Sequence, residues 1–422
     1  MANSYKKTSG IIAIILVSLI AGLAIMETGL RVLGISYPAF MMLDPVRGNS
    51  LVPGAEGWQA REGRSYVQIN RHGLRDREYP QKKPPKTFRI AVLGDSFAEA
   101  FQVQQENAFW SVMENILGKC AGFNGRSVEV INFGISGHGT GQQLLTLRHN
   151  VWNFDPDLVL LAFYTGNDVR NNSRALERSP HRPYFVLRDD RLLLDDSFRH
   201  LPDFSSEQLQ RNRNRIEWIN RSYLLQILRE AKNTLAKMML ERLTEMGEAG
   251  ISSEVFHAPI SKDWRQAWRV TEALLVRMQD KIRERGKAFW IATLTSGLQV
   301  HPDKTLRQRY ANSIGTADLD YPDRRIAAFG KQHHIPVITL LDPFREYVDA
   351  KGIFLHGFND LGTGHWNEEG HKLGGAIIAE RICDAVLKNR LDQPQSPNFA
   401  DVNSMRAVRF AFPIALENTV QD

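Results

Sequence analysis

The chain has 422 residues, 43% hydrophobic and 24% charged, with a net charge of +6. That balance excludes a disordered or fibrous polymer and allows one sizeable core with additions. Two cysteines, Cys120 and Cys383, are too few for a disulfide framework or a zinc site. In their helical, partly apolar contexts they read as buried thiols, with one bridge between them as the alternative. No basic cluster is interleaved with aromatics, so nucleic acid is not an expected partner. The positive charge is that of a solvated surface, suited to lying beside an anionic membrane.

Thr8 to Met26 runs 19 residues without a charge. As a helix it comes close to the ~30 Å hydrocarbon core of a bilayer. Lys6 and Lys7 precede it, and Glu27 and Arg31 follow as a helical pair. Positive residues stay on the cytoplasmic side, so residues 1–35 read as a single-pass transmembrane anchor with a short cytoplasmic tip. The bulk of the chain is then periplasmic or extracellular. A cleaved signal peptide is the competing reading, but its small-x-small site is weakly offered by Ala21 to Ala24.

Residues 36–86 carry Pro, Gly and short alternating runs such as Ser65-Tyr66-Val67-Gln68-Ile69, a small β-type lead-in. From residue 87 to 390, apolar strand-like runs alternate with helical patterns: Phe88–Leu93, Val128–Phe133, Leu158–Tyr164, Ala288–Leu294 and Ile335–Leu341. Continuous apolar runs suit strands covered on both faces, and the alternation implies a parallel sheet. Asn107 reads as the N-cap of a helix over Ala108–Lys119. Between the third and fourth runs, about 171–286 reads as an insertion. Asn171–Pro202 is loop-like, Ser206–Gly247 is a long charged helix with an apolar stripe, and Trp264–Arg285 is a second helix. Residues 391–422 have no period and read as an extended or disordered tail.

Four short blocks stand just after these runs or just before a helix: Gly94-Asp95-Ser96, Asn132-Phe133-Gly134, Gly166-Asn167-Asp168 and His365-Trp366-Asn367. A serine leaving the carboxyl end of a buried strand sits where α/β sheets place their chemistry. It needs a base to take its proton and donors for a developing oxyanion. The Ser96 N–H, the Gly134 N–H and the neutral Asn167 amide are three such donors on adjacent strand ends. His365 stands at the entry to the last helix, capped by Asn367, with Glu368 and Glu369 in its first turn.

This ordered set resembles the SGNH (GDSL-like) hydrolase family, whose markers are Ser, Gly, Asn and His. Asn70-Arg71-His72-Gly73-Leu74-Arg75-Asp76 is similar to the turn before the catalytic domain in its membrane-anchored bacterial members. The resemblance implies a flavodoxin-like three-layer α/β/α fold with five parallel strands. It also implies Ser96 as nucleophile, His365 as base, and Ser96, Gly134 and Asn167 as the oxyanion hole. The family's acid stands three residues before the His, and that position is Gly362 here. Asp360 is the candidate acid; a backbone carbonyl orienting His365 in a Ser-His dyad is the alternative.

No cofactor and no metal are expected. Gly137-x-Gly139-x-Gly141 has the wrong spacing for a dinucleotide loop, and Gly134-Ile135-Ser136-Gly137-His138 lacks the last glycine of a nucleophile elbow. His365, Glu369 and His371 lack a zinc spacing, and His371 reads as solvent-facing. Asp95 and Asp168 read as organisers of their turns. The expected activity is an esterase acting on an acyl ester, on a carbohydrate or lipid of the cell envelope. The alternatives are an O-acyltransferase of a cell-surface polysaccharide, and a membrane-anchored binding or assembly protein whose site has decayed.

Overall fold

The computed structural model describes residues 2–241 and 251–388; the expected tail at 391–422 lies outside the described residues. The chain opens with helix α1 (Ala2–Val32). Within it Gly10–Val32 has a mean hydropathy of 2.5 and none of that stretch is buried in the protein. Two hairpins follow, β1 (Met41–Asp44) with β2 (Gly48–Leu51) and β3 (Glu56–Gln59) with β4 (Ser65–Gln68). Phe40, Leu51, Val67 and Ile69 form a small core that also takes in Phe101 and Ile135, from the loops after the next two strands.

The main sheet is five-stranded and parallel: β5 (Thr87–Leu93), β6 (Ser127–Asn132) and β7 (Leu158–Tyr164), then β10 (Ala288–Leu294) and β11 (Val337–Thr339). The spatial order is β11-β10-β7-β5-β6. Counted along the sheet's own strands, that is the 2-1-3-4-5 order of doubly wound folds, and its crevice opens where the winding reverses, between β5 and β7. Every residue of β5 and β7 is buried, as strands covered on both faces must be.

Alternation along β5 divides the core into two halves. Ile90 and Val92 face α3 (Phe109–Leu117), after the single turn α2 (Ser96–Glu99), and the C-terminal helix α13 (Glu368–Leu387). Ala91 and Leu93 face the opposite layer, which begins with α4 (Thr140–His149). Asn107 lies outside α3, whose N-cap is Ala108. Two short helices follow β7, α5 (Asp168–Asn171) and α6 (Arg174–Glu177).

The stretch read as a loop holds a hairpin, β8 (Tyr184–Arg188) with β9 (Arg191–Asp195). The long charged helix is broken at Ser222 into α7 (Ser206–Arg221) and α8 (Tyr223–Glu241). α9 (Lys262–Arg283), within the stretch read as an insertion, covers the sheet through Leu274, Met278 and Ile282. After β10 come α10 (Lys304–Ser313), α11 (Tyr321–His333), α12 (Leu341–Lys351) and α13 (Glu368–Leu387).

Cys120, just beyond α3, is bonded to Cys383 on α13, a link across 263 residues with Cα atoms 6.0 Å apart. The buried-thiol reading is thereby corrected. α3 and α13 pack against each other on one face of the sheet, which brings the two residues together. A loop of this size contributes on the order of 2–5 kcal/mol in the chain-entropy account. The Cys120→Ala/Cys383→Ala pair is expected to lower the denaturation midpoint accordingly. An unchanged midpoint under non-reducing conditions would show that the bridge does not form.

Candidate active site

Ser96 is the first residue of α2, one turn long, where β5 ends at the winding reversal. Asp95 caps that turn by accepting from the Phe97 N–H, at 3.0 Å. Ser96 is held in the first turn of a helix, where backbone N–H groups have no intrahelical partner. Its own N–H has none among the described residues.

His365 comes from the loop before α13, whose N-cap is Asn367, accepting from the Gly370 N–H. The neighbouring chain fixes this loop: the Gly357 N–H donates to the His365 carbonyl and the Asn367 N–H to the Leu355 carbonyl. The His365 Nε2 lies 2.8 Å from Ser96 Oγ across 269 residues of sequence. The Phe97 ring packs 4.9 Å from the imidazole, centre to centre.

The third member is Glu62, on the loop between β3 and β4. Its Oε2 lies 2.6 Å from His365 Nδ1, and its Oε1 accepts from the His365 backbone N–H at 2.7 Å. A carboxylate on Nδ1 places the proton there, so Nε2 presents its lone pair to the serine. Gly364 makes the seat possible: at φ +79°, any Cβ there would lie 2.3 Å from Glu62 Oε1. Asp360 is not the acid. It is exposed, its carbonyl lies against Gly357, and the carboxylate on His365 Nδ1 is that of Glu62. Neither the dyad nor Asp360 describes the site.

Burial lowers the pKa of His365, but the Glu62 hydrogen bond and charge outweigh it, with Asp95 and Glu99 adding, and the net direction is up from 6.5. Buried carboxyls surround the serine turn. Burial raises Asp95, against the Phe97 N–H, His365 and Asn167. Burial and the nearby Asp95 carry Asp168 well above the ordinary range. Glu99 is pushed up to about 7 by burial, opposed by hydrogen bonds from Ser136 and by the Arg75 charge. Asp95 and Asp168 do brace their turns, Asp168 by accepting from the Tyr164 N–H at 2.9 Å.

The three residues expected as oxyanion donors differ among themselves. Gly134 is under α2, and a Cβ there would lie 2.5 Å from the Ala98 Cβ. Its N–H is given to Asn132 Oδ1 at 2.9 Å, so this donor is engaged, and Gly134 is required first by close packing. Asn132 is itself anchored, its N–H on Asp76 and its amide on the Arg75 carbonyl. The Asn167 amide lies against the Asp95 carboxyl, and its Oδ1 is buried without a partner. Of the two backbone donors, Ser96 alone has an uncommitted N–H.

The residues set aside as decoys have structural work. Ser136 bonds Glu99, and His138 is buried against Asn49 with its pKa down at about 3 through desolvation. His371 does not face solvent: it is buried, stacked on Phe109, and its Nδ1 accepts from the Phe109 N–H at 3.3 Å. Beside the site lies an open cavity of about 580 Å³ between the lead-in hairpins and α8. Its walls include Arg61, next to Glu62, and Glu99, at the end of the serine turn, with Tyr37, Trp58, Gln102 and Asn233. Gln102 Oε1 is buried there without a partner.

Sequence reasoning missed Glu62. It stands 303 residues before His365, in a stretch with no motif, and nothing local distinguishes it from the neighbouring charges.

Neither a family model nor a curated protein matches this chain. Among solved structures, an acetyl xylan esterase is 11% identical with a TM-score of 0.36, covering 70% of this chain and 100% of that one. A catalytic mutant of an acetylxylan esterase from Geobacillus stearothermophilus is 11% identical at a TM-score of 0.36, covering 69% and 93%. A GDSL-like lipase from Bacteroides thetaiotaomicron is 13% identical at 0.33, covering 73% and 93%.

Because Glu62 raises the His365 pKa, Glu62→Gln is expected to lower it. An NMR titration of the imidazole should then show the His365 midpoint moving to lower pH than in wild type. An unmoved midpoint would show that Glu62 does not set the charge of His365.

Proposed function

We propose that this protein is a serine esterase that cleaves acyl esters through a seryl-ester intermediate. The observation that carries the reading is the continuous relay Ser96 Oγ, His365 Nε2, His365 Nδ1, Glu62, with contacts of 2.8 and 2.6 Å. Ser96 Oγ attacks the ester carbonyl as His365 takes its proton, and Glu62 stabilises the imidazolium that forms. The oxyanion is met by the Ser96 N–H and by the Asn167 amide. The Gly134 N–H joins them if it leaves Asn132. The imidazolium then protonates the departing alcohol. Water, deprotonated by His365, attacks the acyl-serine and frees the acid.

The substrate we infer is an acylated carbohydrate. The adjoining cavity supports this: its wall mixes aromatic rings, carboxamides, two carboxylates and two guanidinium groups, which suit hydroxyl-rich rings better than an alkyl chain, and its size is that of a small-ligand site. The same cavity has room for an acceptor sugar, which keeps O-acyl transfer to a polysaccharide hydroxyl as the second reading. The decayed-site alternative loses its motive, since an acid is in place although position 362 is Gly.

We read residues 1–35 as an uncleaved anchor, 36–86 as the lead-in that supplies Glu62, and 87–390 as the hydrolase domain. We place the domain outside the cytoplasm. The Lys6-Lys7 flank supports that orientation, and the Cys120–Cys383 bridge fits an oxidising compartment.

A fluorophosphonate probe should label the wild-type chain and not Ser96→Ala; equal labelling would remove Ser96 as an activated nucleophile. With an acetylated oligosaccharide as substrate, Glu62→Gln is expected to lower kcat by about 10²–10⁴-fold, as loss of an orienting acid does. Asp360→Asn should stay within about twofold, a barrier change of under ~0.5 kcal/mol. The reverse ranking would return the acid to Asp360.

A further inference from the structure

α7 and α8 each have two distinct faces. On α7, Asn212, Ile216 and Asn220 recur every four residues and face the lead-in. Asn212 accepts from the Leu43 N–H at 3.2 Å, Asn220 accepts from the Ala39 N–H at 2.7 Å, and Ile216 is buried. On α8 the matching inner face is Gln226 and Arg229. Gln226 accepts from the Tyr37 N–H at 2.7 Å, and Arg229 donates to the Pro38 carbonyl at 2.7 Å.

The outer faces carry large apolar side chains in water-exposed positions. Trp218 on α7 is 68% exposed, and Leu225, Leu228 and Leu235 on α8 are 42%, 58% and 59% exposed. The three leucines fall at helical spacing on one stripe. Exposed Arg215 lies one turn before Trp218, and exposed Lys232 falls within the leucine stripe. Large exposed apolar side chains on two successive helices, three of them on one stripe, mark an interaction surface rather than ordinary scatter.

The position of α1 says what meets this surface. Its apolar stretch, Gly10–Val32, ends at the head of α8. There Glu27 caps α8 from outside: its carboxylate accepts from the Tyr223 N–H at 3.0 Å, the Leu224 N–H at 2.9 Å and the Ser222 hydroxyl at 3.0 Å. Arg31 closes the junction, pairing with Glu27 and lying 4.9 Å over the Tyr223 ring. These contacts tie the start of α8 to the end of the apolar helix, at the level where such a helix leaves a bilayer.

We infer that the outer faces of α7 and α8 rest in the surface of an anionic bilayer beside α1. Trp218 and the leucine stripe enter the headgroup and upper acyl region, while Arg215 and Lys232 meet lipid phosphates. Tryptophan favours that depth, a lysine can keep its ammonium at the phosphates while its stem lies on apolar surface, and basic residues near the surface gain from anionic lipid. The inference rests on the reading of α1 as a membrane span. It turns that anchor from a tether into one of two supports, which set the height and tilt of the Ser96 crevice over the membrane.

The test uses the full chain in phosphatidylcholine–phosphatidylglycerol vesicles. The native cysteines are bonded to each other, so single engineered cysteines can be labelled with an environment-sensitive fluorophore at Leu228→Cys, at Leu19→Cys within α1, and at Arg324→Cys as an exposed control. Spin-labelled lipids are expected to quench positions 19 and 228 at least threefold more than 324. Quenching at 19 with 228 no different from 324 overturns the inference and leaves the anchor standing. No quenching at either 19 or 228 overturns both. A blue-shifted but unquenched label at 228 means that protein, a second copy or another segment of this chain, covers the face, and that also overturns it. Omitting phosphatidylglycerol should weaken quenching at 228 and leave 19 unchanged; equal quenching at 228 with and without it overturns the anionic part of the inference.

Discussion

The pairing of Glu62 with His365 is the constraint on which the rest of this structure depends. A histidine between a carboxylate and a serine hydroxyl must be held by both nitrogens, and here each nitrogen is held by a different part of the chain. Glu62 makes two contacts, to the ring and to the backbone N–H of the same residue. One carboxylate therefore holds both the imidazole and the backbone that carries it. The cost is a glycine at 364, with positive φ and no room for a side chain. The lead-in hairpins are thus part of the site, since without them Nδ1 would lack its carboxylate.

The lead-in is fastened to the sheet by buried charge. Arg75 is wholly buried and donates to the carbonyls of Glu99, Ala100 and Val103, just beyond the serine turn. Asp76 accepts from the Asn132 N–H at the end of β6, and burial pushes its carboxyl up to about 8, against hydrogen bonds from Asn132 and Arg77. Asn70 organises the turn itself, accepting from the His72 and Leu74 N–H groups. Polar groups buried in this way are costly unless paired. The network joins the segment that supplies Glu62 to the two strand ends that supply Ser96 and Gly134. One connected set of bonds therefore fixes the distance between acid and nucleophile.

The same lead-in also touches α7 and α8. Its backbone is gripped by Asn220, Gln226 and Arg229 of α7 and α8, and α8 is capped by Glu27 of α1. A chain of hydrogen bonds thus runs from the apolar helix, through α8 and the lead-in, to His365. Arg61, beside Glu62, closes it with a two-pronged pair to Glu230 on α8 at 3.0 and 3.1 Å. The cavity walled by Arg61, Arg229 and Glu230 lies inside this frame.

Much of this was legible in the sequence. Continuous apolar runs declared a parallel sheet because strands buried on both faces leave no polar alternation, and the helix over Gly10–Val32 is plain from length and composition. Ser96, Gly134, Asn167 and His365 could be named because each stands at the end of a strand or the start of a helix, where local pattern and position coincide. What lacked a local pattern was not legible. Glu62 is one carboxylate among many until folding brings a hairpin to the rim. Asp360, near His365 in sequence, lies exposed with its carbonyl against Gly357, and Glu62 holds Nδ1 instead. Gly134 reads from the sequence as a free donor, whereas Asn132, two residues earlier, accepts its N–H. The bridge between Cys120 and Cys383 needed α3 and α13 to lie side by side. Sequence by itself determined the elements and the residues whose chemistry follows from where an element ends. Tertiary structure decided the pairings between distant segments, because a hydrogen bond depends on separation in space and orientation, and neither is written in local spacing.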